Sequence, residues 1–367
     1  MGHIATLQIA LMAMAAIVVR PVIAEEPATP GTAAPPTAGA AAAKGEMLTS
    51  GSWSMMLPLG LQAGAAYIPE DNPITEDKIA LGKLLYFDPR LSKDKTISCA
   101  SCHMPFHGFA DPHRTSAGVA GKLGGRNSPT VINRLFSAEQ FWDGRAKDLE
   151  MQSHGPLVNP VEMAMGSHTD VVGRVKAVKG YASLFKKAFG DHKIDIDCIG
   201  KAIATYERTV VAGNSPYDRY QAGDKDALSP EAVRGMHLFN GRGRCKACHT
   251  GFNFTDETYQ NIGVGMDKPK PDLGRFDVTH DNNDRGKFKV PTLRNIAHTA
   301  PYMHDGSENT LTDTVEFYNR GGVANPNLSK EVKPLNLTEL EKGDMVAFLE
   351  SLTGEVNNIS PPESLPK

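Results

Sequence analysis

The sequence predicts a mostly α-helical protein of two related domains with long loops. Segments such as CIGKAIATYERTVVA (198–212) and LEKGDMVAFLESL (340–352) place apolar residues at helical spacing. Alternating runs of the strand type are few, while 35 glycines and 25 prolines in 367 residues break the chain into loops. One short word, Cys-x-x-Cys-His, occurs twice, at 99–103 and at 245–249, each time behind a similar stretch.

The elements in order begin with IATLQIALMAMAAIVV (4–19), an apolar run followed by a small-x-small ending at Ala24. This is the pattern of a secretory signal cleaved near Ala24. An uncleaved membrane anchor is the competing reading, but the run is short for a bilayer span and lacks strong cationic flanks. Residues 25–50 are rich in Ala and Pro and read as a disordered linker. The first domain is expected over 51–212, the second over 213–355, and a tail over 356–367. No other run approaches a membrane span, so membrane association is not expected after cleavage. Lys and Arg number 39 against 42 Asp and Glu, and this near-balance argues against nucleic acid as a partner.

Five cysteines occur, and in an exported chain five cannot all pair. Four of them lie in the two repeated words. A c-type haem has two vinyl groups on one edge, each able to form a thioether with a cysteine sulfur. Two cysteines three positions apart meet the vinyls, and a histidine next in the chain lies under the iron. Cys99 and Cys102 are therefore expected to attach one haem c with His103 on its iron. Cys245 and Cys248 are expected to attach a second, with His249. A zinc site made from both words would use the same residue types, but zinc does not require a histidine after each second cysteine. The repeat extends upstream: LGKLLYFDPRLSKDKTISCASCH (81–103) and RGMHLFNGRGRCKACH (234–249) share a glycine, an apolar stripe ending in Phe and a polar turn. Two cytochrome-c-like domains are expected, each with a helix packed on its haem.

Longer motifs go further. FDPRLSKDKTISCASCH, NSPTVIN, QFWDGRAKDLEMQSHGPLVNPVEM, YERTVVAGNSPYDRY, VPTLRNIAHTAPYMHDG and TLTDTVEFYNRGG stand in this order between about residue 70 and residue 352. Together they resemble the bacterial di-haem cytochrome c peroxidase and MauG superfamily. The resemblance implies two haems c, a calcium ion between the domains, and chemistry that begins with hydrogen peroxide, and the signal sequence sets the expected location as the periplasm. It implies that the N-terminal haem is the peroxide site and that Glu162, in VEM, is the acid–base catalyst. Gln152 and Pro156 match other distal-pocket residues. Trp142 matches the tryptophan between the haems, where an indole can relay an electron. Asn127 matches a calcium ligand, with the carbonyls of Thr299 and Pro301 alongside. His304 matches a residue near the second haem.

Two departures select a branch. In the peroxidases that use cytochrome c as donor, a histidine sixteen residues after the first proximal histidine caps the resting iron. That position here is Val119, which cannot ligate; His107 and His113 stand elsewhere. A five-coordinate N-terminal haem is expected. Those enzymes also carry a methionine fourteen residues after the HDG histidine, where this chain has Tyr318. MauG-like enzymes have tyrosine there as the distal ligand. A phenolate is hard and anionic and stabilises high-valent iron, which suits oxidation of a partner protein. Met303 is the competing ligand. Such enzymes oxidise tryptophan side chains, to build a quinone cofactor or, in the MbnH-like branch, to make kynurenine in a copper-binding partner. One MauG feature is missing: the surface tryptophan two residues before the second haem's first cysteine is Gly243 here. The other tryptophan, Trp53, lies in SWSMMLPLG and is expected to pack on the body.

The leading expectation is thus an exported enzyme using peroxide to oxidise tryptophan in a periplasmic protein through a high-valent di-haem state. The alternative is a cytochrome-c peroxidase that reduces peroxide to water with electrons from a small cytochrome c or a cupredoxin. A plain electron carrier would not need Glu162, Gln152 and Trp142 in these motifs. Cys198 is expected to be a buried small hydrophobe.

Overall fold

The computed structural model describes residues 45–367 together with Met1. The expected signal sequence and most of the expected linker lie outside the described residues. The last residues of that linker depart from the expectation: Met47–Ser50 forms strand β1, paired antiparallel with β2 (Trp53–Met56). The hairpin has an anchor in the body, because Trp53 and Leu57 are buried with Leu61, Ile74, Leu135 and Val211. The apolar residues of this segment thus end its disorder.

The first helical group comprises α1 (Glu76–Tyr86), α2 (Cys99–Cys102), α3 (Leu149–Val158), α4 (His168–Lys176), α5 (Lys179–Phe189) and α6 (Ile196–Glu207). Short polar residues start its helices. The side chains of Thr75, Asp148, Ser167 and Asp195 each accept a main-chain N–H of the first turn that would otherwise lack a partner. Leu81, Leu85 and Tyr86 of α1 pack on Ile199, Ile203 and Tyr206 of α6 in one continuous core. Cys198 lies in this core, as expected of a small hydrophobe.

The second group follows β3 (Ala212–Gly213). It comprises α7 (Pro216–Gln221), α8 (Pro230–Asn240), the strand β4 (Tyr259–Gln260), α9 (Phe276–Thr279), β5 (Phe288–Lys289), α10 (Leu311–Asn319), α11 (Glu339–Glu350) and β6 (Glu355–Val356). Helix α8 packs on α11 around Phe239, Phe254 and Phe348, whose rings meet edge-on or tilted. The strands form three two-stranded antiparallel sheets among the described residues, β1–β2, β3–β6 and β4–β5. Helices and irregular connections supply the rest, in keeping with the expected class.

The glycine shared by the two upstream repeats has a packing reason. A Cβ at Gly82 would stand 1.9 Å from the main-chain oxygen of Ala202, and one at Gly235 would stand 1.9 Å from that of Asp344. Each glycine lets the helix that precedes a Cys-x-x-Cys-His word press against a later helix of its own group. The residues after β6 turn back to the first group. The oxygen of Pro366 accepts from Arg90 Nη1 at 2.8 Å, and that of Lys367 accepts from Gly180 N at 2.7 Å. A buried Arg294 ties the groups to the N-terminal segment, pairing through both Nη atoms with Asp218 and donating to the oxygens of Phe252 and Gly60.

Candidate functional site: two cavities and a shared wall

The N-terminal cavity is lined by Cys99, Cys102 and His103 together with Gln152, Pro156 and Glu162. Helix α2 presents the cysteines. Ser98 caps it, with Ser101 returning the bond through its hydroxyl. No described cysteine is in a disulfide. His103 Nδ1 lies 2.9 Å from the oxygen of Pro129, so Nδ1 carries the proton and donates, and Nε2 keeps its lone pair. Burial lowers the pKa of His103, which favours the neutral, ligating form.

In this cavity, Glu162 Oε1 accepts from Asn159 Nδ2 at 2.9 Å, and burial raises the pKa of its carboxyl. Gln152 and Pro156 reach the same cavity from α3. Val119 is buried beside Glu162, its N–H bonded to the Glu162 main-chain oxygen at 2.8 Å. Gly118 lines the cavity, whereas Val119, His107 and His113 are not among the lining residues.

The C-terminal cavity repeats the arrangement. Cys245, Cys248 and His249 line it, and His249 Nδ1 lies 3.0 Å from the oxygen of Phe254. Burial holds this imidazole neutral as well. It also pushes the Cys245 thiol up to about 12 and the Cys248 thiol up to about 11. Tyr318 on α10, Met303 and His304 line the same cavity. The Tyr318 hydroxyl has no hydrogen-bond partner among the described residues, and burial, followed by the nearby Cys245 and Cys248 sulfurs, raises its pKa. Met303 has a left-handed backbone, φ +73°. His304 is stacked on Phe288 with ring centroids 3.5 Å apart, and burial lowers its pKa to about 4.

Trp142 and Asn127 line both cavities. The indole N–H donates to the Asn127 oxygen at 2.8 Å, and Asn127 N donates to the His304 oxygen at 2.8 Å. Asn127, Thr299 and Pro301 all line the C-terminal cavity. Among the described residues no cluster of three or more His, Cys, Asp or Glu side chains could hold a metal ion. Gly243 is closed to a side chain, since a Cβ there would lie 2.8 Å from the Leu238 main-chain oxygen. Arg134 and Lys289 also line both cavities and were not singled out by sequence reading. Their signal was positional: each directly adjoins a long motif, NSPTVIN and VPTLRN.

Two proximal-type histidines, each held through Nδ1 by a main-chain carbonyl and each behind a pair of free thiols, suit two covalently attached haems. The comparisons agree. The family model described as di-haem cytochrome c peroxidase matches residues 76–226. The chain is 42% identical over 298 residues to the methylamine utilization protein MauG of Methylorubrum extorquens, covering 80% of this chain and 83% of that protein. It is 44% identical over 285 residues to cytochrome c551 peroxidase of Nitrosomonas europaea, covering 77% and 82%. The crystal structure of a MauG-like protein associated with microbial copper homeostasis superposes with a TM-score of 0.76 at 32% identity, covering 85% of this chain and 99% of that one. The fold and site thus define a di-haem peroxidase-type oxidoreductase. The chain belongs to the di-haem cytochrome c peroxidase and MauG family, which implies two haem cofactors.

Proposed function

We propose that this enzyme uses hydrogen peroxide to oxidise tryptophan side chains of a periplasmic partner protein, in the manner of the MauG/MbnH-like branch. The observation that carries the reading is Tyr318, a half-buried phenol without a hydrogen-bond partner among the described residues, lining the same cavity as His249. Val119, bonded through its main chain to Glu162, supports it, because the position that bears a capping histidine in cytochrome-c-dependent peroxidases holds a side chain that cannot ligate.

Cys99, Cys102 and His103 hold one haem, in a cytochrome-c-like domain over 51–212. Cys245, Cys248, His249 and Tyr318 hold the other, in a second such domain over 213–355. When bound, the two irons store the two oxidising equivalents released as peroxide is cleaved. Glu162 takes the proton from one peroxide oxygen and delivers it to the other, which leaves as water. Asn159 holds the carboxyl in place for this, and Gln152 orients the peroxide. Trp142 relays electrons between the cavities. Two electrons from the partner's tryptophan complete the balance, and the second peroxide oxygen is also reduced to the level of water. Asn127 with the Thr299 and Pro301 carbonyls binds calcium, a hard cation that accepts neutral oxygen donors. Export rests on residues 4–24.

A second reading, peroxide removal with a small cytochrome c as donor, has its own support. Gly243 has no room for a tryptophan, and the Nitrosomonas europaea relative is named a cytochrome c551 peroxidase. The test pairs two assays on the fully oxidised protein: steady-state oxidation of reduced cytochrome c by peroxide, and mass spectrometry of tryptophan peptides in periplasmic extract of the source organism incubated with the enzyme and peroxide. Modified tryptophan with slow cytochrome turnover supports the first reading. Rapid cytochrome turnover with unmodified tryptophan replaces it with the second.

A further inference from the structure

Arg134 is a cation with no carboxylate bonded to it among the described residues. It lies in the wall common to both cavities, beside Trp142. Its Nε donates to Gln140 Oε1 at 2.9 Å and its Nη2 to the Glu139 main-chain oxygen at 3.2 Å. Both partners are neutral, and among the described residues it forms no ion pair with any carboxylate. A guanidinium has five N–H donors, so with two used, three remain, and both on Nη1 are among them. The other cation in this wall, Lys289, is already paired with Glu257 at 2.5 Å.

A guanidinium stays charged at any ordinary pH, so it cannot escape burial by losing a proton. Half-buried and with no anion on its free donors, it is destabilising unless a ligand supplies one. Glu257 and Glu207 lie near enough to favour its charge, but neither bonds to its free donors, which an anion held in the cavities could satisfy. Each haem c carries two propionate carboxylates on the edge opposite its thioether bonds, and Arg–carboxylate pairing is directional and strong.

We propose that Arg134 is a shared propionate anchor: its free donors bind propionates of both haems and hold the two porphyrin edges against Trp142. Lining residues from one cavity alone could not do this, and only Arg134 combines that position with an unsatisfied charge. It is a positioning residue. The inference rests on the reading that each cavity holds a haem, not on the identity of the oxidised partner.

The test is spectroelectrochemical titration of the purified holoprotein and of its Arg134→Gln and Arg134→Lys variants. Haem content is first measured as the pyridine haemochrome, so that failure of the two-haem reading is seen separately. Removing a positive charge beside a propionate favours the ferric state, so both midpoint potentials fall in R134Q and largely recover in R134K. Movement of one potential alone, or of neither, overturns the proposal. Should R134Q not take up haem, a crystal structure of the wild-type holoprotein decides the matter. Guanidinium nitrogens within hydrogen-bond distance of propionates from both haems uphold it, and contact with one haem or none overturns it.

Discussion

The main-chain N–H of Val119 donates to the main-chain oxygen of Glu162 at 2.8 Å, so the residue sixteen after His103 is fixed beside Glu162, the proposed acid–base residue. A histidine at 119 would bring a strong-field ligand to the peroxide side of the first cavity. The resting wild-type protein is expected to show a high-spin ferric signal from the N-terminal haem in electron paramagnetic resonance. Val119→His is expected to convert it to low-spin and to slow the reaction with peroxide at least tenfold unless the protein is first half-reduced. An exclusively low-spin wild-type spectrum contradicts this reading.

Glu162 is poised by two opposing features. Burial raises its pKa, while Asn159 holds its Oε1 at 2.9 Å. Glu162→Gln keeps the shape and that hydrogen bond but removes the proton acceptor. General acid–base catalysis contributes roughly 10²- to 10⁴-fold, so the peroxide reaction in stopped flow is expected to slow by about that factor. Because the carboxylate form is the base, the wild-type rate is expected to rise with pH through a midpoint above the ordinary glutamate value. The glutamine variant loses this limb.

Tyr318 and Met303 line the same cavity as His249, and on the proposed reading Tyr318 would be the second ligand of a haem held there. Tyr318→Phe is expected to change the low-spin absorption and paramagnetic signals of the C-terminal haem, while Met303→Leu leaves them in place. The reverse result moves the ligand to Met303. With Tyr318→Phe, tryptophan oxidation is expected to fall further than peroxide consumption, since the phenolate's hard, anionic oxygen stabilises the more oxidised iron.

Much of this was legible in the sequence because covalent haem attachment leaves a fixed spacing. The words at 99–103 and 245–249 each place two thiols and an imidazole on a cavity. The shared glycine was visible too, but its reason was not: the close crossings at Ala202 and Asp344 involve residues far along the chain. Composition misjudged the segment at 47–50. Its few apolar residues are enough to form a hairpin because the acceptor surface, Ile74, Leu135 and Val211, is dispersed in sequence. Arg134 shows the same limit more sharply. An arginine after a motif carries no mark of being unpaired; that follows from the neutral partners that the fold brings to it.

Glu207 gives the last prediction. It ends α6, is 5% exposed and lines the N-terminal cavity, and burial pushes its carboxyl up to about 8. In the unfolded chain the same group titrates near the usual glutamate value of about 4.3. Between these two values the folded protein holds a proton that the unfolded chain has released. Stability from this group is therefore fully present below the unfolded pKa and is lost as pH rises through the folded one. The slope is at most about 1.4 kcal/mol per pH unit within that window. Glu207→Gln mimics the protonated form at every pH. The variant is expected to match the wild type in denaturant midpoint near pH 4.5 and to exceed it near pH 8, measured by circular dichroism with haem content held equal. Parallel pH profiles for the two proteins would show that the Glu207 carboxyl is already ionised in the folded state.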